Sequence, residues 1–346
     1  MQENIDLRDY GYRDSGTPDI ARITAVFKNR YDLITPTGAT HGFLSAAYRQ
    51  GLEDWPTTGD FVRIDPNPTG DSRILETLPR HSLFSRREPG SPPRQQAVAA
   101  NFDYVFIVTS LNRDFNPNRL ERYLSIAYDS GATPVILLTK ADLLPDCSAQ
   151  LAKAENIVPG TPVHALSSLT GQGMDALDQY LKPGVTLALL GSSGVGKSSL
   201  VNALAGRELM RVNETRAVDS SKGRHTTTHR QLMRLDCGAL IIDTPGMRQL
   251  GMWELDEGLS ATFGDVEEIL ARGCRFSDCQ HMTEPGCAVR AAIESGELSP
   301  VHWRNYLALK REAHFASNYA SALREKQARN REIALKNRSL KRKPRR

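Results

Sequence analysis

The octapeptide Gly191-Ser192-Ser193-Gly194-Val195-Gly196-Lys197-Ser198 fits the spacing G-x4-G-K-[ST] and directly follows an apolar run, VTLALLG, that reads as a buried strand. Glycines let such a loop wrap closely and aim its main-chain N–H groups at phosphate oxygens. The helix that opens at Lys197 adds the positive end of its dipole. Lys197 is expected to reach the β- and γ-phosphates of a nucleotide and to assist catalysis. The Ser198 hydroxyl is expected to ligate Mg2+, with Ser199 extending the phosphate contacts. A second apolar run, ALIID, ends at Asp243 and opens Asp243-Thr244-Pro245-Gly246. A carboxylate at that strand end suits Mg2+, directly or through water, and the Gly246 N–H can meet a γ-phosphate. D-x-x-G alone is common in turns; its weight comes from its place beyond the phosphate loop.

Thr139-Lys140-Ala141-Asp142 ends a third apolar run and has the chemistry to read a base. The Asp142 carboxylate can accept from both the ring N–H and the exocyclic amine of guanine. Adenine presents the reverse pattern and leaves the buried charge unpaired, which is costly. The common form of this motif is N-K-x-D; Thr139 replaces its Asn and forfeits an amide hydrogen-bonding group. Ala165-Leu166-Ser167-Ser168 resembles the companion loop whose main-chain N–H contacts the guanine oxygen, with Ser167 and Ser168 as binding residues. Between the phosphate loop and Asp243 lies Gly223-Arg224-His225-Thr226-Thr227-Thr228-His229. Thr227 or Thr228 is expected to complete the Mg2+ shell and sense the γ-phosphate, against the plainer reading of a Thr-rich loop. His225 is the candidate for polarising the attacking water, the alternative being a hydrogen-bonding loop histidine. Met247 stands where Ras-like enzymes carry the glutamine that orients that water. A thioether cannot do so, and slow intrinsic hydrolysis that waits for a partner is expected.

A different chemistry is encoded by Cys274-x4-Cys279-x-His281-x5-Cys287. Three thiolates and one imidazole suit a closed tetrahedral zinc site with no open position for catalysis. No secretory signal opens the chain, and that setting favours a metal over disulfides. Zinc would staple a small domain with little core of its own. Cys147 and Cys237 stand alone and read as apolar or spectator residues.

Positioning the nucleotide motifs takes a mostly parallel sheet covered on both faces. YVFIVTS (104–110), PVILLTK (134–140), VHALSS (163–168) and VTLALLG (185–191) alternate with helix-forming stretches that include MDALDQYL. QLMRLD and ALIIDTPG make a hairpin-like pair. Earlier, five short β-rich runs (ARITAVF, YDLIT, HGFLSAAY, DFVRID, RILETL) are broken by turn signals, which predicts a small barrel of OB-fold or SH3-like type. SRREPGSPPRQQ reads as a linker. The 346 residues carry a net charge of +4, yet eleven Lys/Arg against two acidic residues crowd into 324–346, leaving the body acidic. A basic tail on an acidic body fits a polyanion partner, with a solvated terminus as the plainer alternative. No apolar run reaches the length of a membrane span, so a cytoplasmic protein without membrane association is expected.

In the order base, base, phosphate loop, Thr loop, D-x-x-G, the five boxes of Ras-like GTPases are present but permuted. Together with the zinc pattern and the barrel, T-K-A-D, G-S-S-G-V-G-K-S, G-R-H-T-T-T and D-T-P-G make the chain resemble the bacterial ribosome small-subunit-dependent GTPase A family, across nearly its whole length. The resemblance implies a multidomain fold: an OB-fold β-barrel, a circularly permuted α/β P-loop GTPase and a small α-helical zinc-binding domain. It implies binding to the small ribosomal subunit and its rRNA in late maturation, and GTP hydrolysis stimulated by that subunit. Barrel and zinc domain are then expected to touch rRNA. Potassium-dependent relatives carry Asn where Gly194 stands, and the sequence assigns no potassium site here. The expected divisions are a disordered N-terminus over 1–18, the OB-fold over 19–85, the GTPase over 98–253, the zinc domain over 254–320 and a basic helical or disordered tail over 321–346. The expected state is a monomer with one structural zinc and Mg2+ bound with GTP. A nucleotide-gated RNA-binding module with incidental hydrolysis is the rival reading, and a large-subunit factor a weaker third.

Overall fold

The computed structural model describes residues 4–14, 17–28, 30–51, 54–87, 95–111, 115–157, 160–210, 231–243 and 256–314. Two compact units divide the chain: 1–85 with 96–250, and 86–95 with 251–346.

In the first unit, β1 (Ile20–Val26), β2 (Tyr31–Thr35), β3 (Gly38–Leu44), β4 (Phe61–Asp65) and β5 (Ser72–Thr77) follow the order β1-β2-β3-β5-β4, and β4 returns to pair with β1. The β3–β5 pair is parallel and the others antiparallel. With helix α1 (Ala46–Gly51) between β3 and β4, this is OB-fold connectivity, which resolves the choice between the two barrel types. Alternation drives closure: Ala21, Ile23, Leu33, Val62, Ile64 and Ile74 share one buried interior cluster. The expected strand HGFLSAAY instead changes to helix after Leu44. Ser45 accepts from the Tyr48 N–H at 3.2 Å, and the alanines that follow favour helix.

The expected disorder over 1–18 is corrected for residues 4–14. A 3₁₀ turn, Leu7–Tyr10, is capped by Asp6, and Leu7 is buried against Ile20 and Ile34. One apolar side chain with a docking surface outweighs the polar composition around it. The linker expectation is narrowed likewise. β6 (Leu83–Arg87) pairs with β7 (Gln95–Ala100), because Phe84, Val98 and Ala99 supply buried apolar positions at both ends.

Next come β8 (Tyr104–Ser110), α2 (Pro117–Asp129), β9 (Thr133–Thr139), α3 (Ser148–Ile157), β10 (Val163–Ala165), β11 (Thr186–Leu190), α4 (Lys197–Ala205), β12 (Gln231–Arg234) and β13 (Leu240–Asp243). They order as β10-β9-β8-β11-β13-β12, parallel except for β12. Successive side chains go to opposite faces. Val105, Ile107, Ile136 and Leu138 join Leu120 and Leu124 of α2, while Phe106, Val108, Val135 and Leu137 join Leu200 and Val201 of α4. MDALDQYL contributes only a 3₁₀ turn, Met174–Leu177. From β8 the chain steps outward to β9 and β10, then returns to the other side of β8 as β11. That reversal makes a crevice at the carboxyl ends of β8 and β11, the place where such sheets bind ligands.

Barrel and sheet share one backbone ladder. β12 pairs with β1 at Gln231 and Ala25, giving an eleven-stranded sheet. Arg22, wholly buried on the outer face of β1, fastens the joint. It donates to Tyr10 O, to Thr186 Oγ1 at 3.0 Å, to Asn101 O at 2.8 Å and to Gly59 O at 3.3 Å, and lies 4.9 Å from the Phe61 ring centre. Burial pulls its guanidinium down to about 10, with Asp103 and Asp60 opposing.

The second unit holds α5 (Asp256–Thr262), α6 (Gly264–Ala271), α7 (Ala288–Ser295) and a helix over 300–314. Leu259, Phe263, Val266, Ile269, Val289, Trp303, Tyr306 and Leu309 form its core. This is more apolar packing than the short sequence around the cysteines suggested. Among the described residues, no helix is long and apolar enough to cross a membrane.

Candidate functional site

β11 delivers the phosphate loop. Its five residues are buried, and the chain turns sharply at Gly191, where a Cβ would meet Val108 O of β8 at 2.3 Å. Gly196, with φ +102°, then sets the left-handed turn from which α4 starts. Lys197 folds back over the loop and donates to Gly191 O at 2.7 Å and Ser192 O at 2.6 Å. Its ammonium is thereby held over the loop's concave side. Ser198 and Ser199 stand half-buried in the first turn of α4. Asp243 closes β13, next in the sheet to β11. Burial pushes its carboxyl up to about 6, while the Lys197 ammonium pulls the other way. A buried carboxylate raised in this way gains most from a divalent cation, which fits the Mg2+ role expected of Asp243 with Ser198.

β9 delivers the base motif beside it. Thr139 is buried, and its hydroxyl lies 2.5 Å from Val195 O and 3.2 Å from Thr109 O. Lys140, with φ 62°, donates from Nζ to Gly194 O at 2.9 Å. The residue that replaces Asn therefore still ties the base loop to the phosphate loop, by a hydroxyl instead of an amide. Ala141 N–H donates to Leu166 O at 3.1 Å, and Ser167 Oγ donates to Asp142 Oδ1 at 2.5 Å. Ser167 is buried and also accepts from the N–H groups of Leu169 and Thr170, each at 3.2 Å. Its hydroxyl thus aims a solvent-facing Asp142 carboxylate, with Ser168 half-buried alongside. Hydrogen bonds thus link Thr139 and Lys140 to the loop 191–198, with Ala141 tied to Leu166 and Asp142 to Ser167.

Two residues that carry no recognisable motif reach the same loop. Arg119 Nη1 donates to Ser192 Oγ at 3.1 Å, and Tyr123 Oη lies 3.2 Å from the same atom. The only sequence signal was their i, i+4 spacing on α2. His225, Thr227, Thr228, Gly246 and Met247 lie outside the described residues.

In the second unit, Cys274, Cys279, His281 and Cys287 bring four ligand atoms within 4.8 Å of one another. His281 Nδ1 lies 3.5 Å from the Sγ atoms of Cys274 and Cys287 and 3.7 Å from that of Cys279, and Cys274 and Cys287 Sγ are 4.0 Å apart. Tetrahedral zinc bonds imply edges of about 3.6 Å for S–N and about 3.8 Å for S–S, so the residues fit a zinc ion. Main-chain N–H groups of Ala288, His281 and Arg290 point at the three sulfurs. The bond from Ala288 is the largest cause holding the Cys274 thiol below its ordinary range. His281 sits at φ 59° in a turn whose N–H groups converge on Glu284. N–H groups of Glu284 itself, Gln280, Met282 and Thr283 hold that carboxyl at about 2. Trp303 stands edge-on to His281, ring centres 5.5 Å apart.

Comparison with known proteins points the same way. The profile described as RsgA GTPase matches residues 77–253. Small ribosomal subunit biogenesis GTPase RsgA 2 of Listeria monocytogenes serotype 4b is 46% identical over 334 residues, covering 94% of each chain. RsgA 1 of Listeria monocytogenes serovar 1/2a is 48% identical over 319 residues, covering 92% of this chain and 90% of that one. Among solved structures, YjeQ from Thermotoga maritima aligns with a TM-score of 0.63 at 28% identity, over 85% of this chain and 98% of its own. YloQ, a circularly permuted GTPase, aligns with a TM-score of 0.58 at 25% identity, over 85% and 94%.

Proposed function

Because the chain belongs to the RsgA GTPase family, we propose that it hydrolyses GTP as a late maturation factor of the small ribosomal subunit, gripping rRNA and turning over when that subunit is bound. The observation that carries this reading is the hydrogen bonding of the base motif to the phosphate loop through Thr139 and Lys140, which would couple guanine and phosphate recognition.

In this reading the N–H groups of 192–198 cradle the phosphates, and Lys197 leaves its two carbonyls for the β- and γ-oxygens. Ser198 and Asp243 would hold Mg2+, and Asp142, aimed by Ser167, reads guanine. Water attacks the γ-phosphorus in line with the departing β-phosphate oxygen, Lys197 meets the developing charge, and a bound Mg2+ would supply Lewis-acid stabilisation of the same oxygens. His225 polarises that water, and Thr227 or Thr228 would complete the metal shell. With Met247 in place of glutamine, intrinsic turnover is slow. The zinc ion is structural, and the protein is a cytoplasmic monomer whose barrel, zinc domain and basic tail meet rRNA.

Single-turnover hydrolysis with and without isolated small subunits tests this. Strong stimulation by small subunits is expected. Tight binding without stimulation would establish the nucleotide-gated module instead, and preference for large subunits would overturn the partner assignment. Unchanged stimulated turnover in His225→Ala would remove that residue from the mechanism.

A further inference from the structure

α2 enters the nucleotide site at Ser192, a residue held from three directions. Its carbonyl accepts from Lys197, and its hydroxyl is met by Arg119 at 3.1 Å and Tyr123 at 3.2 Å. Asn116 caps α2 by accepting from the Arg119 N–H at 3.3 Å, and Pro117 stiffens the first turn, so the backbone that carries Arg119 is fixed. One helical turn on, Tyr123 is half-buried against the cluster that contains Leu120 and Leu124. Both side chains therefore reach the loop from rigid footing.

The serine hydroxyl has one proton to donate, and a guanidinium can only donate to it. With Arg119 donating into the Ser192 oxygen, the Ser192 proton is free to point at the Tyr123 oxygen, and the hydroxyl is locked in one rotamer. That rotamer fixes the start of the loop at the point where Lys197 must exchange carbonyls for phosphates. Arg119 also brings a permanent positive charge to a loop built to receive a polyanion.

We propose that Arg119 and Tyr123 are positioning residues for nucleotide binding. They act through Ser192, holding the first half of the phosphate loop in its phosphate-ready shape. The proposal rests on Gly191–Ser198 being the nucleotide loop. Its effect belongs to binding and not to the chemical step, because neither residue is asked to touch the γ-phosphorus.

The test is a double-mutant cycle on the full-length protein, read by GDP and GTP affinity, by KM against kcat in subunit-stimulated hydrolysis, and by Tm. Arg119→Met is expected to weaken both nucleotides about tenfold, with kcat within about twofold, as loss of one charged hydrogen bond predicts. Tyr123→Phe removes one oxygen with little risk to folding and is expected to weaken binding about threefold. On a Ser192→Ala background the Tyr123 change is expected to cost nothing further. Full additivity on that background, a fall in kcat with unchanged nucleotide affinity, or a drop in Tm with unchanged affinity would each overturn the proposal. Failure of the wild-type protein to bind guanine nucleotide would instead overturn the underlying reading of the loop.

Discussion

At Thr139 a single hydroxyl replaces an amide, and its place between Thr109 O and Val195 O explains why the exchange is tolerated. The group's duty here is to couple two loops, which a short donor does as well as a longer one. Thr139→Val, which keeps the shape and removes the donor, is expected to lower GDP affinity about fivefold, measurable by titration calorimetry. Asp142→Asn puts a donor where guanine also offers donors. Guanine-nucleotide affinity should fall about a hundredfold, while a nucleotide of xanthine, whose carbonyl replaces the amine, should gain. Competition between the two nucleotides decides it. Asp243 sets a pH dependence. Its folded value near 6 lies above the ordinary 3.8, so the folded state holds the proton more tightly and the nucleotide-free protein loses stability as pH rises from about 4 to about 6. Asp243→Asn is therefore expected to stabilise the nucleotide-free protein at pH 7.5 by about 1–3 kcal/mol and by only about a third as much at pH 4.5, while weakening Mg2+-GTP binding. Equal Tm gains at both pH values would contradict it. Motifs whose chemistry sits in consecutive residues were legible without coordinates. Arg119 was not, since its partner is 73 residues away and neither residue advertises the contact.

Elements were legible where periodicity was strong, as in the alternating cores of β8 and β9. They were misjudged where one residue reversed a trend: Ser45 starting α1, or Leu7 anchoring a polar terminus. In the second unit, packing and a bound metal would divide the labour. Its helices carry an apolar core of their own, whereas the turn at 280–287 is held by Glu284 and the proposed ion. Chelation is thus expected to unravel that turn and leave most helical content in place. In a variant retaining Trp303 as its sole tryptophan, emission should change on metal removal with far-UV ellipticity nearly constant. Loss of most ellipticity at 222 nm would instead show the ion to be the main support.

On the scale of the whole molecule, charge and the barrel joint matter most. The basic segment 324–346 lies outside the described residues. If it grips RNA as proposed, deleting it should weaken small-subunit binding and flatten the dependence of affinity on salt, since fewer counterions are released. An unchanged salt slope would assign the tail another role. Arg22 ties the barrel to β11, the strand that ends at the phosphate loop, through a bond to Thr186 that spans 164 residues. Arg22→Met is expected to cost about 2–4 kcal/mol, because four acceptors lose a buried donor at once. The ladder between Ala25 and Gln231 has a further consequence during synthesis. The barrel leaves the ribosome first, and at ordinary elongation rates its partner strand follows roughly ten to forty seconds later. For that interval the last residues of β1, beyond its pairing with β4, lack a partner on one side, a short edge that incomplete copies expose and finished ones cover.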